Sequence, residues 1–164
     1  MIMKYLLFNE WMIVRFLKSK ELEEIWKNFI YAPKQLEGVS LDLTVKTIYT
    51  FEKQGALDFG GSEYQPVDLE PLRPKIEDDP KYGWWTLSTG MYIVEYNENF
   101  SENECLAIVY PHKRLLSTGC FHPSFIVDPS KNSQSIQGLL SVNSQGVRIK
   151  ENARISTALT LILD

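Results

Sequence analysis

From residue 38 onward the chain breaks into short apolar runs bounded by turn residues. The runs "VKTIYTF", "WWTLSTGMYIVEY", "CLAIVY", "FIV", "LLSV", "VRI" and "ARISTALTLIL" are rich in β-branched and aromatic residues. Clusters of Gly, Pro, Asn and Ser separate them, which is the punctuation of turns between strands. Many short strands behind a single helical segment predict a mainly β fold, a compact β-barrel or jelly-roll-like domain. A length of 164 residues suits one buried core, so one domain is expected. Its parts would be an N-terminal extension and helix over 1–37 and the barrel over 38–164.

The helix is expected in "SKELEEIWKNFIYAP". Leu22, Ile25, Trp26, Phe29 and Ile30 repeat at helical spacing and make one apolar stripe. Ser19 stands where a cap belongs, with Glu21, Glu23 and Glu24 near the positive end of the helix dipole. Pro33 is expected to end it. Trp26 reads as a core anchor.

Charge and composition exclude several classes. Seventeen Lys and Arg against 21 Asp and Glu give a net charge of −4, without the basic excess of a general nucleic-acid binder. A local anion site is still compatible with that balance. The apolar start "MIMKYLLFNEWMIVRFL" is interrupted by Lys4, Asn9, Glu10 and Arg15, short of the ~20 residues of a spanning helix. It lacks the small-residue cleavage site of a secretory peptide and is expected to pack on the body or on another subunit. Cys105 and Cys120 lie in apolar stretches and form no C-x-x-C pair, so they read as reduced core thiols of a cytoplasmic protein. The proline- and acid-rich section 60–83 is a long excursion between strands; such loops are functional or packed on a neighbour.

Few residues are available for chemistry. Between Glu104 and Glu151 the only carboxylate is Asp128, in "FIVDPSKNSQS". Hydrolysis by this half would need it to accept a proton from water. Asp-Pro after a strand is also a common turn opener, and the spacing favours that reading. Asp42, in "GVSLDLTV", either helps bind a hydrated cation or is a strand Asp contacting backbone. His112 and His122 are the only histidines, a weak basis for zinc. No phosphate-binding glycine loop is present, nor the H-x-E and P-C-x-x-C pair of zinc deaminases.

Three stretches together resemble the dUTPase and dCTP deaminase superfamily, in particular its archaeal dUTPase-like branch. They are "GVSLDLTV", "GMYIVEYNENFSENECLAIVYPHKRLLSTGC" and "VDP…LLSVNSQGVRIKENARISTALTLIL". The resemblance covers roughly residues 38–164. Its P-R-S-S-L-L-R-x-G, D-P-G-Y, N-x-x-G and G-A-R-I-A-Q blocks align without a gap from Pro111 to Ile155. It implies a homotrimer of dUTPase-like β-barrels with active sites at subunit boundaries. Mg²⁺ would be carried by the phosphates of a deoxynucleoside triphosphate, with no metal held directly by the protein.

Residue by residue, the resemblance implies Asp128 as the water-activating carboxylate and His112, Lys113 and Arg114 at the phosphate position. Asp42, Asn143, Gly146 and Arg154 are the other retained positions, with Asp42 near the metal through water. Departures are numerous. Family Arg-Ser-Ser is His112-Lys113-Arg114, and the following Arg is Ser117. The D-P-G-Y-E-G block is Asp128-Pro129-Ser130-Lys131-Asn132-Ser133, and the Gln after A-R-I-A is Thr157. The position of the deaminase Glu is Ile136 or Leu140. If "KRLLSTG" forms a short helical turn, Lys113 and Arg114 stand at its positive end, which costs ~0.3–1 kcal/mol per charge without an anion. Either a phosphate binds there, held by charge instead of serine hydroxyls, or both side chains face water. The implied activity is dUTP diphosphatase. The alternative is a non-catalytic structural or regulatory homotrimer, and dCTP deaminase comes third.

Overall fold

The computed structural model describes residues 5–7, 10–12, 14–100, 105–129 and 135–163. In chain order the first elements are β1 (Tyr5–Leu7), β2 (Glu10–Met12), β3 (Val14–Phe16), α1 (Ser19–Ile25), β4 (Trp26–Lys27), α2 (Ala32–Gln35) and β5 (Leu36–Glu37). Then come β6 (Ser40–Phe51), β7 (Leu69–Pro71), β8 (Trp84–Leu87), β9 (Gly90–Tyr96) and β10 (Asn99–Phe100). The remainder is β11 (Cys105–Pro111), α3 (Lys113–Ser117), β12 (Phe125–Val127), β13 (Gln137–Val142), β14 (Val147–Lys150) and β15 (Arg154–Leu163).

The main sheet runs β12-β11-β15-β6-β9-β13, with β3 added to β15 and with β5 and β7 added to β6. Its two ends meet through one bridge, Phe121 with Ser141, whose two backbone hydrogen bonds are 3.2 and 2.8 Å. The expected barrel is therefore present and nearly closed. Leu41, Leu43, Val94, Ala107, Val109, Leu140 and Ala158 fill it, each at most 1 % exposed. Leu17, Leu22 and Trp26 from the N-terminal segment join the same core.

Strand β6 is longer than the run that predicts it, and the face it turns to the core changes along its length. Leu41, Leu43 and Val45 point inward at odd positions, while Ile48 does so at an even one. The pairing with β9 slips between Val45 and Thr47, which reverses the faces. Through Thr44 the strand pairs with β15, and from Val45 it pairs with β9. At this crossing the fully buried Glu98 accepts from the Thr44 amide at 2.7 Å, the Thr44 hydroxyl at 2.5 Å and Gln35 Nε2 at 2.7 Å. A backbone donor that changes partner strands thus keeps an acceptor. Burial raises the pKa of Glu98 above the ordinary carboxylate value, against the pull of these donors.

The single N-terminal helix expected from the apolar stripe is instead two short helices. α1 stops at Ile25, Trp26 and Lys27 turn extended to pair with β10, and Asn28 takes φ 63°. Trp26 decides this: its ring lies 4.5 Å from that of Phe100, and its Nε1 donates to Thr160 Oγ1 at 2.9 Å. Packing overrides the helical periodicity. Ser19 is not the cap; its Oγ donates to the Gly38 carbonyl, while Glu21 accepts from the Lys18 amide. Pro33 sits in the first turn of α2 instead of ending a helix. Further along, α3 is a third helix.

The opening segment forms the β1–β2 hairpin and β3, which pairs with β15; residues 1–4, 8, 9 and 13 lie outside the described ones. The 60–83 excursion packs on its own chain, with β7 on β6 and a Lys75–Trp84 bridge. Both cysteines are buried and neither is in a disulfide. No helix among the described residues is long and apolar enough to cross a membrane.

Candidate functional site

The short helical turn expected at "KRLLSTG" exists as α3. His112 caps it: its Nδ1 accepts from the Arg114 amide at 3.1 Å, so the neutral ring carries its proton on Nε2. That Nε2 faces Asp42 Oδ2 at 3.4 Å. The same oxygen receives Arg154 at 3.1 Å, while Asp42 Oδ1 accepts from Thr157 Oγ1 at 3.0 Å. Arg154 also donates to the Lys34 carbonyl at 2.7 Å, and Gln35 Nε2 to the Asp42 carbonyl at 3.0 Å. Asp42 is thus the hub on which α3, β15 and α2 are fastened. Both its oxygens are engaged within the chain. Among the described residues, no three His, Cys, Asp or Glu side chains gather as a metal site.

His112 is buried, its ring committed to the cap and to Asp42, whereas Lys113 and Arg114 are exposed at the helix start. Burial is the main cause that lowers the His112 pKa; Asp42 opposes it, and Arg154, Arg114 and Lys113 add to it. Asn143 and Gly146 form the turn beside α3. Asn143 Nδ2 donates to the Thr118 carbonyl at 2.8 Å and its Oδ1 accepts from the Gln145 amide at 2.7 Å. Gly146 has φ 76°, and a Cβ there would lie 2.6 Å from the Leu87 carbonyl oxygen, so a side chain is excluded.

Asp128 lies elsewhere on the same chain. It follows β12 directly, where Val127 pairs with Ala107, and His112 is five residues beyond Ala107. At ~3.3 Å per strand residue the two ends are roughly 17 Å apart. Residues 130–134 of the adjoining loop lie outside the described ones. Beside Asp128 the outer face of the sheet is apolar. Phe16, Leu161 and Leu106 form one cross-strand row, and Leu159, Ile108 and Ile126 the next. Ile126 is 63 % and Phe16 45 % exposed, and directly opposed residues share a face.

A second polar chain, which sequence reasoning missed, runs through the core. The Pro123 carbonyl only accepts, so His122 Nδ1 donates to it at 2.9 Å. His122 Nε2 therefore accepts from Ser156 Oγ at 2.8 Å, which leaves Ser156 to accept from the Tyr96 hydroxyl at 2.6 Å. Ser156 is 0 % exposed, which excludes it as a nucleophile in the folded state. Burial lowers the His122 pKa. The unfolded chain, with a His pKa near ~6.5, then takes up a proton that the folded chain refuses. Stability should be full above about pH 6.5 and fall as the pH drops from there towards the folded-state value. His112 acts with the same sign. Melting curves from pH 7.5 to 5.5 check this: the melting temperature should fall on acidification, and His122→Gln should flatten part of the slope. An equal slope in the variant would remove His122 from the account.

The barrel has a solved counterpart in the 2′-deoxycytidine 5′-triphosphate deaminase of Agrobacterium tumefaciens. The TM-score is 0.65 at 13 % identity, covering 91 % of this chain and 47 % of that one. The chain thus spans about half the length of that neighbour, and the two share a fold. Sequence relatives are more specific. A Methanosarcina acetivorans protein named "Probable deoxyuridine 5'-triphosphate nucleotidohydrolase" is 35 % identical over 140 residues, 84 % of this chain and 78 % of that protein. A Methanosarcina mazei protein of the same name is 32 % identical over 157 residues, 90 % of this chain and 88 % of its own. The chain belongs to the dUTPase family. No protein-family model matches it.

Proposed function

We propose that the protein is a dUTP diphosphatase, converting dUTP and water to dUMP and pyrophosphate as a cytoplasmic homotrimer of one-domain subunits. The observation that carries it is the seating of α3: two free-standing cations at a helix start, fastened through His112 to the Asp42–Arg154–Thr157 cluster, in a chain of this family. Lys113 and Arg114 take the place of serine hydroxyls and hold phosphate oxygens by charge. The substrate is the Mg²⁺ complex of the nucleotide, and the metal arrives on its phosphates. With both oxygens engaged, Asp42 orders the cluster and is not a metal ligand; Asn143 and Gly146 support α3 from the side.

Asp128 takes a proton from water as the water oxygen attacks the α-phosphorus. The bond from that phosphorus to the bridging oxygen breaks, and pyrophosphate leaves with its charge met by Lys113 and Arg114. Because Asp128 and α3 stand apart on one chain, the site is completed by a neighbouring subunit packed on the apolar sheet face. Pyrophosphate release from dUTP with Mg²⁺ tests the reading. A trimer that binds dUTP and releases none would be the non-catalytic member of the family instead.

Deamination should not occur. Ile136 and Leu140, at the position of the deaminase Glu, are 4 % and 1 % exposed and apolar. No carboxylate lies on β13 to move a proton at the base. Incubation with dCTP followed by nucleotide chromatography should show no dUTP; a dUTP peak that grows with protein concentration would overturn the assignment of this strand.

A further inference from the structure

Arg148 and Lys150 lie two residues apart on β14 and so share its outer face. Trp84, the β8 partner of Lys150, lies under both: the Arg148 guanidinium is 4.7 Å and Lys150 Nζ 5.7 Å from its ring centroid. This strand pair is one wall of a cleft of about 220 Å³. Arg114 and Leu115 of α3 line it too, as does Arg154. Four cations line one cleft, and no carboxylate is among its lining residues.

The balancing charges come from the loop over 76–83. Glu77 meets Arg148 at 2.5 Å and Asp79 meets Lys150 at 2.6 Å, while Arg154 is held by Asp42. Arg114 has no ion-pair partner among the described residues. The loop is closed at its base by the Lys75–Trp84 bridge, with backbone hydrogen bonds of 2.9 and 2.8 Å. Gly83 permits that closure, since a Cβ there would lie 2.9 Å from Pro74 Cβ and 3.1 Å from the Lys75 carbonyl oxygen. Both ion pairs are solvent-exposed, with side chains 34–49 % accessible, and such pairs contribute little.

We propose that this cleft binds an oligophosphate, whose oxygens displace Glu77 and Asp79 from Arg148 and Lys150. The 76–83 loop acts as a removable acidic plug. A single polyanion delivers several charges to cations fixed on a rigid strand pair, and the planar Arg148 fork suits two phosphate oxygens at once. Two monovalent carboxylates on a loop are the weaker competitor. The identity of the anion as a nucleotide tail rests on the dUTPase reading; the cleft itself does not.

The test is calorimetric titration of the full-length Asp128→Asn protein with inorganic tripolyphosphate, which separates binding from turnover. Arg148→Gln with Lys150→Gln should weaken binding by about 10-fold or more, since two charge-assisted contacts are lost. Glu77→Gln with Asp79→Asn should tighten it several-fold, and this gain keeps the test valid if the first variant folds poorly. No binding overturns the subsite, as does binding that these variants leave unchanged while Lys113→Ala with Arg114→Ala abolishes it. Wild-type dUTP turnover is read separately. Its absence alongside tripolyphosphate binding defeats only the enzyme reading.

Discussion

Asp128→Asn should lower dUTP turnover by ~10²–10⁴-fold, the usual contribution of a positioned general base. Asn keeps the size and most of the hydrogen bonding of Asp but takes no proton from water. Nucleotide binding should persist, because in the proposed site the phosphates rest on Lys113 and Arg114, which lie at the other end of β11 within the same chain. Steady-state pyrophosphate release and equilibrium dUTP binding, measured on one preparation, check the two halves. Equal activity in variant and wild type would transfer the chemistry to the first half of the chain, where Asp42 is the first residue to examine.

A charge placed on the apolar sheet face should take the proposed homotrimer apart. Phe16→Asp and Ile126→Asp lie at opposite ends of the two cross-strand rows, and both side chains are well exposed in the isolated subunit. Neither should harm the subunit fold. Burying a large apolar side chain is worth ~1.5–3 kcal/mol, and each substitution acts three times in a closed trimer while forcing a carboxylate out of water. Light scattering should move from three times the 19.0 kDa subunit mass to a single subunit, and dUTP turnover should vanish with it. A wild-type chain that is monomeric at micromolar concentration refutes both the assembly and the shared site. A positive check is mixing Asp128→Asn with Lys113→Ala, Arg114→Ala chains. Reassembled trimers contain some boundaries with an intact residue set, so activity should return to a mixture of two inactive proteins.

Most strands are legible because they are short runs rich in β-branched and aromatic residues between turn residues. The runs at 105–110, 125–127, 147–149 and 153–163 lie in β11, β12, β14 and β15 within a residue or two. β6 starts earlier than its run "VKTIYTF" suggests, because Ser40 and Asp42 dilute the apolar character of its first residues although Leu41 and Leu43 alternate with them into the core. The helix ends before its apolar stripe does. Ile25, Trp26 and Phe29 do sit at helical spacing, but Trp26 gains more from Phe100 and Thr160 than from another turn of helix. Glu98 was invisible: in "YNENF" it looks like a turn acid, and only the crossing of β6 between two partner strands makes it an acceptor in the core.

The site divides in the same way. Asp42, His112 and Arg154 are far apart in sequence, and nothing local says that they converge; the family resemblance brought them together, and the structure joins them at one carboxylate. It could not say that the His112 ring faces inward while Lys113 and Arg114 face out. The cations of β14 did leave a signal, since Arg148 and Lys150 in "VRIK" occupy one face of a short strand. Their significance depended on Trp84 and on a loop whose acids had read only as composition.

Strand order has a consequence for biosynthesis. β15 follows every other described strand in sequence and yet is not at an edge: it lies between β11 and β6 and also carries β3. Every strand that flanks it leaves the ribosome earlier, with the pairing edges of β6 and β11 waiting for a partner. Folding therefore closes late and through distant contacts, a topology that folds slowly. Until β15 emerges, the nascent chain exposes strand edges that favour association with other chains. A stop codon ahead of Arg154 would remove the middle of the barrel and not its margin. Such a product should accumulate as aggregate, whereas loss of the β1–β2 hairpin should leave a soluble barrel.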